Sequence, residues 1–219
     1  MSSNNMEFLD KIKELLGEEL NKSGTAFYSN IETLKKGKYL IIGLNPGGDP
    51  DKITCTIGQS FQKIYDNKYN AYNEHWLENG KIHRLQKNLH CLFNYLNEDI
   101  EKVCATNLIY ERTRREKQLS LAKLQIYENI LSLTLDLIQP EIIFTFGKRT
   151  TNTLLQLMNI PNPNIEAINS GHGKWAIKFI TCYYKDKKIK IVAFPHLSIY
   201  TLYTRQPILE IVKKFVNTS

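Results

Sequence analysis

Three polar residues stand at the ends of three short apolar runs, and each carries a side chain fit for chemistry. Asn45 follows YLIIGL, Asn107 follows KVCAT, and His196 follows IKIVAFP. An asparagine amide presents a donor and an acceptor in one plane, so Asn107 can read the edge of an amide-like ligand. Asn45 is not a base, but its amide can hold a water. A neutral imidazole at His196 can donate to an oxygen on which negative charge develops. Plainer readings compete with these: an asparagine bonding its own turn, one capping a strand end, and a histidine satisfied by backbone. Arg112, Arg114, Arg115 and Lys117 crowd one stretch, ERTRREKQ. They read equally as a grip on phosphates and as a solvated charged face.

The elements that must position these residues follow from the pattern. Tyr39 to Ile42 is apolar without alternation, which reads as a strand buried on both faces, as in a parallel sheet. Gly43 breaks it, and Asn45-Pro46-Gly47-Gly48-Asp49-Pro50 is a turn-rich loop. Residues 102–108, 142–146, 176–184 and 188–194 read as further strands. The last two flank the charged turn Lys185-Asp186-Lys187. Helical stripes lie at 6–20 (Phe8, Leu9, Ile12, Leu15, Leu16), at 84–96 (Leu85, Leu89, Leu92, Phe93, Leu96) and at 119–138, which Pro140 stops. Gly147 opens another helix, and a last one runs over 206–216. Residues 53–79 read as a long polar-aromatic loop, a type that is often functional. Strands alternate with helices, so a doubly wound, largely parallel sheet is expected, with ligands beyond the carboxyl ends of its strands. There is no internal repeat and no linker. Residues 1–219 therefore read as one domain, with 1–37 a helical extension packed on it.

Composition narrows the partners. The 29 Lys and Arg exceed the 22 Asp and Glu by 7, and this basic excess points to an anionic partner, nucleic acid before membrane. The four cysteines, Cys55, Cys91, Cys104 and Cys182, form no C-x-x-C pair and lack zinc-finger spacing. Four free thiols in a reducing cytosol is the simplest expectation. No secretory signal opens the chain, and no apolar run approaches the roughly 18 residues that span a membrane.

Taken in order, these motifs resemble the uracil-DNA glycosylase superfamily. Gly43-Leu44-Asn45-Pro46-Gly47 is similar to the first motif of its mismatch-specific, thymine-DNA and single-strand-selective branches. Gly58-Gln59-Ser60-Phe61 resembles the segment supplying a base-stacking phenylalanine. Ala105-Thr106-Asn107-Leu108 resembles the strand end with the base-reading asparagine. The segment from Ile142 to Lys148 resembles the strand and glycine that follow. Gly171 to Trp175 and then Pro195-His196-Leu197-Ser198 resemble the approach to the second motif. Three positions depart from the pattern. Leu197 stands where proline is usual. Asn45 stands where some branches carry a water-activating aspartate. Glu111 is near a cysteine place of the iron-sulfur branches, so no cluster is expected.

The resemblance implies a three-layer α/β/α fold around a central, mostly parallel four-stranded sheet. It implies catalysis by Asn45, which holds the water, and His196, which stabilises the departing base, with Asp49 assisting. Gly43, Leu44, Gly47, Phe61 and Asn107 would surround the base. Ser60, Arg112, Arg114, Arg115 and Ser198 would contact DNA, and Tyr200 or Leu202 would enter the base stack as a wedge. The expected activity is hydrolysis of the N-glycosidic bond of a flipped uracil or 5-substituted pyrimidine. No metal or cofactor is expected. The expected protein is a cytoplasmic monomer acting on single- or double-stranded DNA, in base-excision repair or against modified phage DNA. The alternative is a non-catalytic nucleic-acid-binding module on the same fold, which Leu197 would explain.

Overall fold

Uninterrupted apolar runs make the central strands, because both of their faces must be covered. The computed structural model describes residues 3–51, 54–77, 80–113 and 121–218. Strand β1 (Tyr39–Gly43) pairs in parallel with β2 (Cys104–Asn107) on one side and with β3 (Ile142–Phe146) on the other. Strand β3 pairs in parallel with β6 (Lys187–Phe194). Alternate side chains enter two separate core layers. Leu40, Ile42, Ile143 and Ile191 face helices α1 (Ser3–Leu16), α2 (Ile57–Lys63), α4 (Leu121–Ile138) and α5 (Lys148–Leu157). Ile41, Phe144 and Val192 face α3 (Arg84–Leu96) and α6 (Gln206–Asn217). The chain is thus an α/β protein with helices on both faces of one sheet.

The sheet differs from the expected four strands: it has six and is mixed, in the order β2-β1-β3-β6-β5-β4. Strand β5 (Ala176–Tyr184) is antiparallel to β6. Only Lys185 and Asp186 separate them, with φ of 47° and 64°, and so tight a turn can only join antiparallel neighbours. Strand β4 (Asn164–Asn169) adds an exposed antiparallel edge.

Two other expectations change. Helix α1 stops at Leu16, where Gly17 takes a φ of 48°, and a 3-10 turn follows. Residues 23–29 then run along the free edge of β2, with bridges from Gly24 to Glu111 and from Phe27 to Thr106. The region expected to be one long loop contains α2, capped by Thr56 and Gln59. Burial holds all this in place. An exposed pair such as Lys11–Glu7, at 2.7 Å on α1, is screened by solvent and adds little. Each fully buried Leu, Ile or Phe contributes roughly 1.5–3 kcal/mol.

Candidate active site

Because β2, β1, β3 and β6 are parallel, their carboxyl ends share one edge of the sheet, and Asn107, Asn45, Gly147 and His196 are placed there. Parallel pairing continues past the strands. Leu108 N–H donates to Gly43 O at 2.9 Å, and Ile109 N–H donates to Leu44 O at 2.9 Å. Gly147 N–H donates to Phe194 O at 2.9 Å. Strands lie about 4.8 Å apart, so β1 and β6, two spacings apart, set Asn45 and His196 on the scale of roughly 10 Å, the breadth of a nucleotide.

Asn107 ends β2 opposite Gly43 and is only 7% exposed. A Cβ on Gly43 would collide with Asn107 Oδ1, so glycine is required at that place. The amide Nδ2 is buried and has no hydrogen-bond partner among the described residues. Such a donor costs about 1–3 kcal/mol of lost hydration, which a bound acceptor would recover. Beside it stands the half-buried Tyr28, its ring stacked on Tyr72 with centroids 5.8 Å apart. Burial pushes the Tyr28 phenol above its ordinary pKa, and the Asn107 side chain, close enough to act on the phenol, and the Arg112 guanidinium pull it back down. The Asn107 contact falls short of hydrogen-bond geometry, which leaves Nδ2 without a full partner among the described residues.

Asn45 is half-buried, and its Nδ2 donates to Thr113 Oγ1 at 3.1 Å and to Pro46 O at 3.3 Å. These two bonds fix the amide plane and do not use its carbonyl Oδ1. That oxygen can accept a hydrogen bond from a water and so turn the water's lone pair toward a substrate. Asp49 is exposed and accepts from Asp51 N–H at 3.1 Å, within its own turn.

His196 is exposed and lies over Gly147, whose φ of 87° and missing side chain make room for the ring. Ser198 N–H donates to His196 Nδ1 at 3.3 Å, and Ser198 Oγ lies 2.6 Å from the same nitrogen. An Nδ1 that accepts from a backbone N–H assigns the neutral ring's proton to Nε2. The exposed ring therefore offers a donor in its neutral form.

Several expected residues stand elsewhere. Phe61 is fully buried between Phe27 and Tyr110, in the layer under α1 and α4, and cannot stack on a ligand at the strand ends. Ser60 is equally buried; it donates to Ile57 O and accepts from Ala26 N–H. Leu44 packs its side chain into the same core. Arg112 braces the first-motif loop: Nε donates to Gly47 O and Nη1 to Ser23 Oγ, both at 2.6 Å. Tyr200 and Leu202 are fully buried, so neither is a wedge. Between His196 and Tyr200, the exposed apolar side chain is Ile199, at 53%. Arg114, Arg115 and Lys117 lie outside the described residues. Glu111 is paired with Lys123 at 2.5 Å. All four cysteines are free, and no group of three or more metal-binding side chains occurs among the described residues.

The fold and site define an α/β protein with polar side chains gathered at the carboxyl ends of its parallel strands. The chain matches no protein-family model, and no curated protein matches it significantly in sequence. What can be said of its chemistry therefore rests on the residues themselves.

Proposed function

We propose that the chain is a monofunctional DNA glycosylase that hydrolyses the N-glycosidic bond of a flipped uracil or 5-substituted pyrimidine. The observation that carries this reading is the buried, unpartnered Nδ2 of Asn107 at the carboxyl end of β2. Together, Nδ2 as donor and Oδ1 as acceptor match the O4 and N3–H edge of uracil. Cleavage of the N1–C1′ bond sends its electron pair into the base, onto N1 and O2. His196 Nε2–H donates to O2 as that charge grows. The water on Asn45 Oδ1 forms the new bond to C1′ and gives up a proton, leaving an abasic sugar and, after protonation, the free base. With an amide rather than a carboxylate at position 45, this water is oriented but not deprotonated. Ile199 takes the wedge role in place of Tyr200 and Leu202.

Asn45→Ala removes most base excision and leaves DNA affinity largely intact, because the residue acts on the water and on no phosphate. Unchanged single-turnover rates would remove Asn45 from the mechanism. The reading as a whole is tested by incubating the protein with DNA carrying uracil or 5-hydroxymethyluracil and measuring abasic sites. Binding without product favours a non-catalytic module.

Gly47 tunes which base enters. In the most uracil-restricted branch of the superfamily that the motifs resemble, a tyrosine at the corresponding place blocks the C5 methyl of thymine. Here a Cβ on Gly47 would meet nothing within 4 Å, and the residue is not in the left-handed region, so a side chain fits. Gly47→Tyr is therefore expected to depress cleavage of 5-hydroxymethyluracil far more than cleavage of uracil. A wild-type protein that cleaves uracil and refuses every 5-substituted base would show that another residue closes the pocket.

A further inference from the structure

Asn88 lies in the middle of α3, on the helix face otherwise made of Leu85, Leu89, Leu92 and Leu96. It is fully buried. A polar side chain there is costly unless each of its groups is paired. All of them are paired, and to one segment. Nδ2 donates to Leu197 O and to Tyr200 O, both at 2.7 Å. Oδ1 accepts from Leu202 N–H at 2.7 Å and from Tyr203 N–H at 3.2 Å. Two donors and two acceptor sites are the whole capacity of an amide. With carbonyls on one side and N–H groups on the other, the orientation of the amide is fixed by its partners.

The neighbours of Asn88 on the same helix reach the same segment. Arg84 Nη1 donates to Ile199 O at 2.9 Å, and the Lys87 ammonium lies 4.1 Å from the centroid of the Tyr203 ring. Positions 84, 87 and 88 share a helix face, so one side of α3 grips the turn from 197 to 203. That turn begins with His196, whose carbonyl accepts from Ile199 N–H and Tyr200 N–H at 3.0 Å each. Its second residue after the histidine, Ser198, sets the imidazole tautomer.

We propose that Asn88 is the positioning residue of the second motif: its four hydrogen bonds hold the His196 turn in the shape that a proline would otherwise help to impose, and Leu197 is accommodated for that reason. Proline narrows a turn by fixing one φ. Asn88 narrows this one by tying down two carbonyls and two N–H groups across it. The catalytic part of the proposal rests on the glycosylase reading, whereas the effect on His196 does not.

Asn88→Asp keeps the shape but cannot donate twice, and it sets a carboxylate against two carbonyl oxygens. Asn88→Ala removes all four bonds. Two readouts separate the possibilities. The first is ¹⁵N NMR of the His196 ring, identified by its loss in His196→Ala. The wild type is expected as the neutral Nε2–H tautomer, and both variants as a mixture of tautomers. The second is single-turnover excision against DNA affinity. The variants are expected to lose about 10²-fold in rate, the scale of a misplacement near 1 Å, with little change in affinity. Folded variants with the wild-type tautomer overturn the proposal. So does failure of both variants to fold, because Asn88 would then be needed by the whole core and not by the turn. If the wild type excises no base at all, the glycosylase reading fails, and the tautomer measurement still decides the role of Asn88.

Discussion

If the chain is a glycosylase as proposed, His196→Ala is expected to slow base excision by around 10²–10³-fold, the usual effect of losing one pre-placed donor to a developing anion. The reason lies in the turn after β6. Ser198 N–H donates to Nδ1, which assigns the neutral ring's proton to Nε2. The donor is thus set before the base arrives and needs no reorganisation as the bond breaks. The variant should keep its fold, since His196 is exposed. Single-turnover rates on uracil-containing DNA, with affinity measured in parallel, check this. A rate that barely moves places the anion elsewhere and removes the second motif from the site.

Asn107→Ala has the larger effect. With the amide gone, the O4 and N3–H groups of a bound base are both buried without partners. Sites built on such pairs discriminate by about 10⁴-fold, and a loss of that order is expected in excision of uracil. Stability should respond less than at an ordinary buried asparagine. Removing a satisfied amide costs its bonds, but Nδ2 of Asn107 is already unpaired. Its removal relieves about 1–3 kcal/mol of desolvation and offsets most of the small cavity left behind. Thermal unfolding should therefore shift little, while activity falls by orders of magnitude. A large drop in Tm would mean that the amide holds the protein together and does not wait for a ligand.

The central strands were legible because YLIIG and IIFTF are short, rich in β-branched and aromatic residues, without polar alternation and ended by glycine, the pattern of a strand buried on both faces. Helix α3 was legible from its stripe, and its bounds, Arg84–Leu96, match the expected ones. The edge strand β4 was not, because NIEAIN is mostly exposed and carries no apolar face to read. The burial of Phe61 had a signal: Thr56 and Gln59 form a capping box, which starts a helix and puts Ile57 and Phe61 on one face. No comparable signal marked Tyr28, which reaches Asn107 only because residues 23–29 follow the free edge of β2. In the turn after His196, periodicity cannot tell that Ile199 faces out while Tyr200 and Leu202 face in. The four bonds of Asn88 decide that from a helix more than a hundred residues earlier in the chain.

The most direct test is a screen for abasic sites in single- and double-stranded DNA carrying uracil, thymine mispaired with guanine, or 5-hydroxymethyluracil. Wild-type protein should produce abasic sites from at least one of these bases, and Asn107→Ala and His196→Ala should leave them nearly intact at equal DNA affinity. Abasic product that persists undiminished in both variants, or its absence with every base in both kinds of DNA, would contradict a glycosylase site at these strand ends.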